Sequence, residues 1–192
     1  MLPETNEANS YLDDGRDTRD PRLDVVRESG IATVVNCAAA TDGPRPAIET
    51  LVFGADGELL TSYRKQHLFE HEQAVFTAGQ HDGRFELGGV LFALATCYDN
   101  HFPDLTSRGS ADGCQVHLAS SLYDTGGGVD ELAAVYPGIA KDLNMSVVLA
   151  NHVGPAGAWI GCGRMDPRLP RLRRKLVSDL TLWTRHRLDH ND

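Results

Sequence analysis

The chain has 192 residues, 41% hydrophobic and 23% charged, which fits one domain or at most two and is too apolar for a disordered segment. No apolar run reaches the roughly 18 residues that span a bilayer, Met1-Leu2-Pro3-Glu4 shows no signal-peptide pattern, and four cysteines without a CxxC pair read as reduced thiols in a cytoplasmic protein. The net charge of −9 is uneven: from Arg164 onward 8 Lys and Arg face 4 Asp and Glu, while the first 163 residues hold 10 against 23, an acidic body that argues against nucleic acid as a partner.

Residues 5–22 are polar and read as an exposed loop. Residues 23–29 form a short predicted helix stopped by Gly30. The β-branched run 31–37 predicts a buried strand. Residues 48–53 and 59–63 flank Gly54-Ala55-Asp56-Gly57, a hairpin signal. The His-rich stretch 64–84 reads as a long functional loop. Strands follow at 85–87 and 90–96 around Gly88-Gly89, the second apolar enough to be covered on both faces. A helix is expected at 103–108, where Pro103 suits a first turn, and a strand at 115–119. Gly126-Gly127-Gly128 reads as a flexible break before a helix at 129–143, with Leu132, Val135, Ile139 and Leu143 on one face. Strands at 146–151 and 159–162 complete an α/β class with a mixed sheet.

Cys97 stands where an apolar strand gives way to a turn. Such a junction exposes the thiol and leaves backbone N–H groups free to hold an oxyanion. Three further segments accompany it: Leu2-Pro3-Glu4, Tyr63-Arg64-Lys65-Gln66-His67-Leu68, and Glu72-Gln73-Ala74-Val75-Phe76-Thr77-Ala78-Gly79. With Cys97-Tyr98-Asp99-Asn100-His101-Phe102-Pro103-Asp104, these resemble, in order and spacing, the motifs of the nitrilase superfamily of carbon–nitrogen hydrolases over residues 1–163. The resemblance implies an α-β-β-α sandwich and a Glu-Lys-Cys site.

In that scheme Cys97 attacks an amide carbonyl, and Glu4 takes the thiol proton and later activates water. Lys65 and the Tyr98 N–H hold the oxyanion, and Glu72 positions Lys65 and the substrate amine. Cys-Tyr-Asp is similar to the amidase or carbamoylase branch, whereas nitrilases more often carry Cys-Trp-Glu. The implied substrate is a linear amide or N-carbamoyl compound releasing ammonia or an amine. No cofactor or metal is implied, and a homo-oligomer is. His101 and Asp104 stand where the family carries Arg and Glu. His101, Tyr123 and Asn151 are further candidates for substrate contact.

Against the family pattern, three residues precede Glu4, so the strand and helix expected before it are absent. Residues 164–192 form a basic, divergent tail, with a possible amphipathic helix at 172–183. The alternatives are a catalytically silent interaction or dimerisation module and an acyltransferase using the same thioester. Asp124-Thr125-Gly126 reads as a loop rather than a protease triplet. His67 and His71 lack a metal-site context, and Gly161-Cys162-Gly163 is too short for a dinucleotide loop.

Overall fold

The computed structural model describes residues 20–156 and 159–163. Glu4, the remainder of the 5–19 stretch and the tail 164–192 lie outside the described residues, as do both termini expected to depart from the family pattern.

A 3-10 turn at Pro21–Leu23, capped by the Asp20 carboxylate, leads into α1 (Asp24–Arg27). Strands β1 (Thr33–Ala39), β2 (Ala47–Phe53) and β3 (Leu59–Arg64) form an antiparallel sheet in that order. After a short α2 (Glu72–Val75), β4 (Gly83–Leu87) and β5 (Val90–Thr96) pair antiparallel. Gly88 and Gly89 both have positive φ, 58° and 77°, as a two-residue hairpin turn matched to strand twist requires. A 3-10 turn (Cys97–His101) and α3 (Pro103–Ala111) lead to β6 (Val116–Ser121); α4 (Gly128–Asp142) then leads to β7 (Ser146–Asn151). β5, β6 and β7 are parallel, so the second sheet is mixed in the order β4-β5-β6-β7. β8 (Val153–Ala156) and β9 (Trp159–Cys162) close as a hairpin.

Strand alternation sorts the side chains into four layers. Val52 and Tyr63 of the first sheet pack with Phe92, Leu94 and Val116 of the second, which makes the sandwich core. On the far face of the first sheet, Leu51 and Phe53 meet Leu23 and Val26. On the far face of the second, Ala119, Val147 and Leu149 meet Leu132, Tyr136 and Ile139 of α4. Gly109 lets α3 lie close against β5, since a Cβ there would come within 2.9 Å of the Ala93 Cβ. The arrangement is α-β-β-α.

Several elements differ from the sequence reading. β1 is half-buried rather than buried, because it lies at the edge of its sheet among the described strands. The 64–84 stretch is interrupted by α2, and β4 begins at its end. The glycine triplet is a helix start rather than a flexible break: Asp124 Oδ1 accepts hydrogen bonds from Gly126 N (3.0 Å) and Gly128 N (2.9 Å). Tyr136 joins the buried face of α4, while Leu143 caps its end. β8 is additional; Pro155 and Gly154 masked its strand signal.

Candidate active site

Cys97 directly follows the central strand β5 and takes φ 51°. The left-handed region is costly for a residue with a Cβ, and the turn that holds it there is braced from both sides. Asn100 Nδ2 donates to the Cys97 carbonyl (2.8 Å). Asn100 Oδ1 is then the acceptor for His117 Nε2 at 2.7 Å. His117 is fully buried; burial, with Arg84 adding a smaller effect, pushes its pKa down to about 4. Its Nδ1 has no hydrogen-bond partner, which fits a neutral ring protonated at Nε2.

Asp99 is the hub of the same turn. It is fully buried, and it accepts hydrogen bonds from Thr96 N (3.0 Å), Tyr63 OH (2.7 Å), Gln66 N (3.2 Å) and His67 N (2.8 Å). His67 Nδ1 lies 3.1 Å away. The carboxylate thereby fastens the segment carrying Lys65 to the turn carrying Cys97. Burial, and then the charge of Asp99, push the Tyr63 hydroxyl pKa far above its ordinary value, so Tyr63 is a committed donor.

Lys65 is 1% exposed. Its Nζ donates to both oxygens of Glu72, at 2.8 and 2.6 Å, and Glu72 Oε2 also accepts from Phe69 N (2.7 Å). Gly79 keeps this loop closed: its N–H donates to the Lys65 carbonyl (2.8 Å), and a Cβ there would lie 2.3 Å from the Arg64 carbonyl oxygen. A buried ammonium requires such a partner.

Two cavities meet at Cys97 and Glu72, which line both. The first, about 330 Å³, is walled by Phe69, His71, Tyr98, Tyr123 and Trp159, with His101 and Glu131 beside them. The second, about 420 Å³, is lined by Lys65, Thr96, Asn36 and Ser120 among others. Cys97 thus shares one space with Lys65 and Glu72, which come from an earlier stretch of chain.

The other sequence candidates are distributed around it. Tyr98 lines the first cavity and packs edge-on against Phe69 and Phe102. His101 Nε2 lies 3.2 Å from Glu131 Oε1 and 3.4 Å from the Tyr123 hydroxyl. Burial is the main cause that pushes the Tyr123 pKa up to about 12. Asn151 lines the second cavity, but its amide is engaged: Oδ1 accepts from Tyr123 N (2.8 Å), and Nδ2 donates to Tyr123 O (3.2 Å) and Cys162 Sγ (3.1 Å). His67 stacks on Phe102, while His71 stacks on Trp159 at the first cavity. Among the described residues, no group of three or more His, Cys, Asp or Glu side chains converges as metal ligands. Asp99, His117 and Glu131 were missed as contributors. Asp99 was legible as a motif member, whereas the other two carry no local signal.

Residues 18–182 match the model of the carbon-nitrogen hydrolase family. The chain belongs to the carbon-nitrogen hydrolase family. It is 28% identical over 113 residues to a 2-oxoglutaramate amidase of Bacillus subtilis (strain 168), covering 58% of this chain and 44% of that one. It is 30% identical over 109 residues to an omega-amidase of Xenopus tropicalis, covering 52% and 40%. This carbon-nitrogen hydrolase thus spans about half the length of the curated relatives it matches. Among solved structures, an amidase from Nesterenkonia sp. superposes with a TM-score of 0.68 at 28% identity, over 75% of this chain and 56% of that one. A mutant of that amidase shows covalent addition of the acetamide moiety of fluoroacetamide at its active-site cysteine, again with TM-score 0.68 and 28% identity over the same shares. The likeness places this member in the amidase-like branch of the superfamily.

Proposed function

We propose that the chain is an amidase-type hydrolase that cleaves the C–N bond of a linear amide or N-carbamoyl compound through a thioester on Cys97. The observation that carries this reading is the meeting of Cys97, Lys65 and Glu72 at one cavity system, with Lys65 buried and paired to Glu72. The Cys97 sulfur attacks the carbonyl carbon as Glu4 takes the thiol proton. Lys65 and the Tyr98 N–H stabilise the oxyanion. When the C–N bond breaks, Glu4 returns the proton to the leaving nitrogen, and ammonia or an amine departs. Water, deprotonated by Glu4, then attacks the thioester; the acid leaves and the thiol is restored. Glu72 orients Lys65 and the departing amine. Tyr123 and His101 face the acyl group, and Asn151 acts by fixing the Tyr123 main chain.

On this reading the hydrolase domain includes the matched residues 18–182, of which 164 onward are basic, and the partners are a small amide and further copies of the chain, with neither nucleic acid nor membrane. Free thiols at Cys97, Cys114 and Cys162 support a cytoplasmic setting. No helix among the described residues is long and apolar enough to cross a membrane.

The test is ammonia release from a panel of amides by the chain and by Cys97→Ala, with mass spectrometry of the intact protein for an acyl adduct on Cys97. Release and an adduct that both vanish in Cys97→Ala are expected. Equal rates in the two proteins overturn the reading.

A further inference from the structure

On the proposed reading, an amide whose carbonyl carbon faces Cys97 and whose nitrogen faces Glu72 can extend its acyl chain into the first cavity, which both residues line. The walls there are aromatic, with Tyr98, Tyr123 and Trp159 presenting ring surface. Beyond Glu72, the carboxylates lining that cavity are Asp124 and Glu131, and no Lys or Arg lines it among the described residues. Lys65, the nearest buried ammonium, borders the other cavity and is already paired by Glu72. His101 is already engaged: its Nε2 faces Glu131 Oε1 at 3.2 Å. Asp124 is held in place by the Gly126 and Gly128 N–H groups and stays on the wall.

We propose that the first cavity is an acyl subsite in which Glu131, held against His101, selects amides with uncharged or cationic chains and rejects those bearing a second carboxylate. This rests on the reading of Cys97 as the nucleophile. The physical basis is differential: apolar and amine-bearing chains gain ring contact, while a carboxylate is desolvated beside like charge with no Lys or Arg among the described lining residues to receive it. Glu131 is half exposed, so the repulsion is screened by water and by salt.

Three amides with the same two-methylene spacer separate the terms. Butyramide, β-alaninamide and succinamate differ in carrying a methyl, an ammonium or a carboxylate at the chain end. For the intact chain, kcat/KM for succinamate is expected to lie about tenfold or more below that of the other two at low ionic strength. Glu131→Gln should narrow that gap by about fivefold. Added salt should narrow it in the intact chain and much less in Glu131→Gln. Ratios within one protein cancel any loss of folded or active enzyme.

The same amides are measured for binding to Cys97→Ala, with and without Glu131→Gln, by ligand-observed NMR. Binding of butyramide and β-alaninamide but not succinamate, reversed in part by Glu131→Gln, supports the subsite even where no hydrolysis occurs; in that case the hydrolase reading fails alone. Succinamate equal to butyramide in the intact chain, a gap unmoved by Glu131→Gln, or no binding of any of the three overturns the proposal.

Discussion

The Tyr63 hydroxyl donates a 2.7 Å hydrogen bond to Asp99 Oδ2 inside the sandwich, joining the strand that leads to Lys65 to the turn that carries Cys97. The carboxylate has further donors in the Thr96, Gln66 and His67 N–H groups, so a change on either side has unequal effects. Tyr63→Phe removes one donor and is expected to cost about 1.5–3 kcal/mol. Asp99→Asn turns an NH2 group toward donors and leaves several unmatched, so its cost should exceed that of Tyr63→Phe, at about 3 kcal/mol or more. Urea denaturation at neutral pH compares them; equal losses would show that the remaining donors do not depend on the carboxylate.

Lys65 and Glu72 form the second coupled pair. Lys65 is buried and Glu72 largely so, with side-chain exposures of 1% and 16%. Removing Glu72 alone strands an ammonium in the interior, which costs about 3–5 kcal/mol for a buried pair. Glu72→Leu should therefore be more destabilising than the double replacement Lys65→Met with Glu72→Leu. A double-mutant cycle by chemical denaturation should give a coupling energy of about 2 kcal/mol or more. Additive effects would show that the pair is solvated rather than buried.

The layers were largely readable because their signals are local. The apolar run 90–96 suited a covered strand, Gly88-Gly89 marked the break between two strands, and the periodicity of Leu132, Val135, Ile139 and Leu143 marked α4. The burial of β1 was not readable, since a β-branched strand reads alike at the edge or centre of a sheet. Around Cys97, residue types and spacing pointed to Lys65 and Glu72. They could not reveal that Asp99 collects donors from both the 63–67 segment and Thr96, or that His117, on a strand with no motif, holds Asn100. Those roles arise from sheet register, which sets Ala93 opposite His117, and register is a long-range property. Glu131 is invisible for the same reason: on its own helix it is one more acid in a first turn.

His117 makes stability depend on pH in a defined window. Burial holds its folded-state pKa near 4, below the ordinary 6.5. Above pH 6.5 the ring is neutral in both states and contributes no pH dependence. As pH falls from 6.5 towards 4 the unfolded chain binds a proton that the folded chain refuses, so stability drops, by on the order of 3 kcal/mol in all. His117→Leu should lose stability at pH 7, because Asn100 Oδ1 loses its donor, and should show a flatter slope between pH 6.5 and 4. Thermal or urea unfolding across that range measures the difference in slope. Parallel curves for the two proteins would mean that the ring is protonated in the folded state.

The backbone at Cys97 is itself strained, since φ of 51° is adopted freely by glycine and at a cost by a residue with a Cβ. Cys97→Ala keeps the Cβ and therefore the strain. Cys97→Gly relieves it, though it adds freedom to the unfolded chain, a penalty of about 0.5–1 kcal/mol elsewhere in proteins. The left-handed conformation costs a non-glycine residue about 1–2 kcal/mol, so the relief should match or outweigh that penalty. Cys97→Gly is therefore expected to be at least as stable as Cys97→Ala, contrary to the usual order of these residues. If Cys97→Gly proves less stable by 0.5–1 kcal/mol, as at an ordinary site, the turn holds no strain. If the expected order is found, the fold holds its thiol in a conformation it would otherwise leave, and the bracing by Asn100 and Asp99 is what keeps it there.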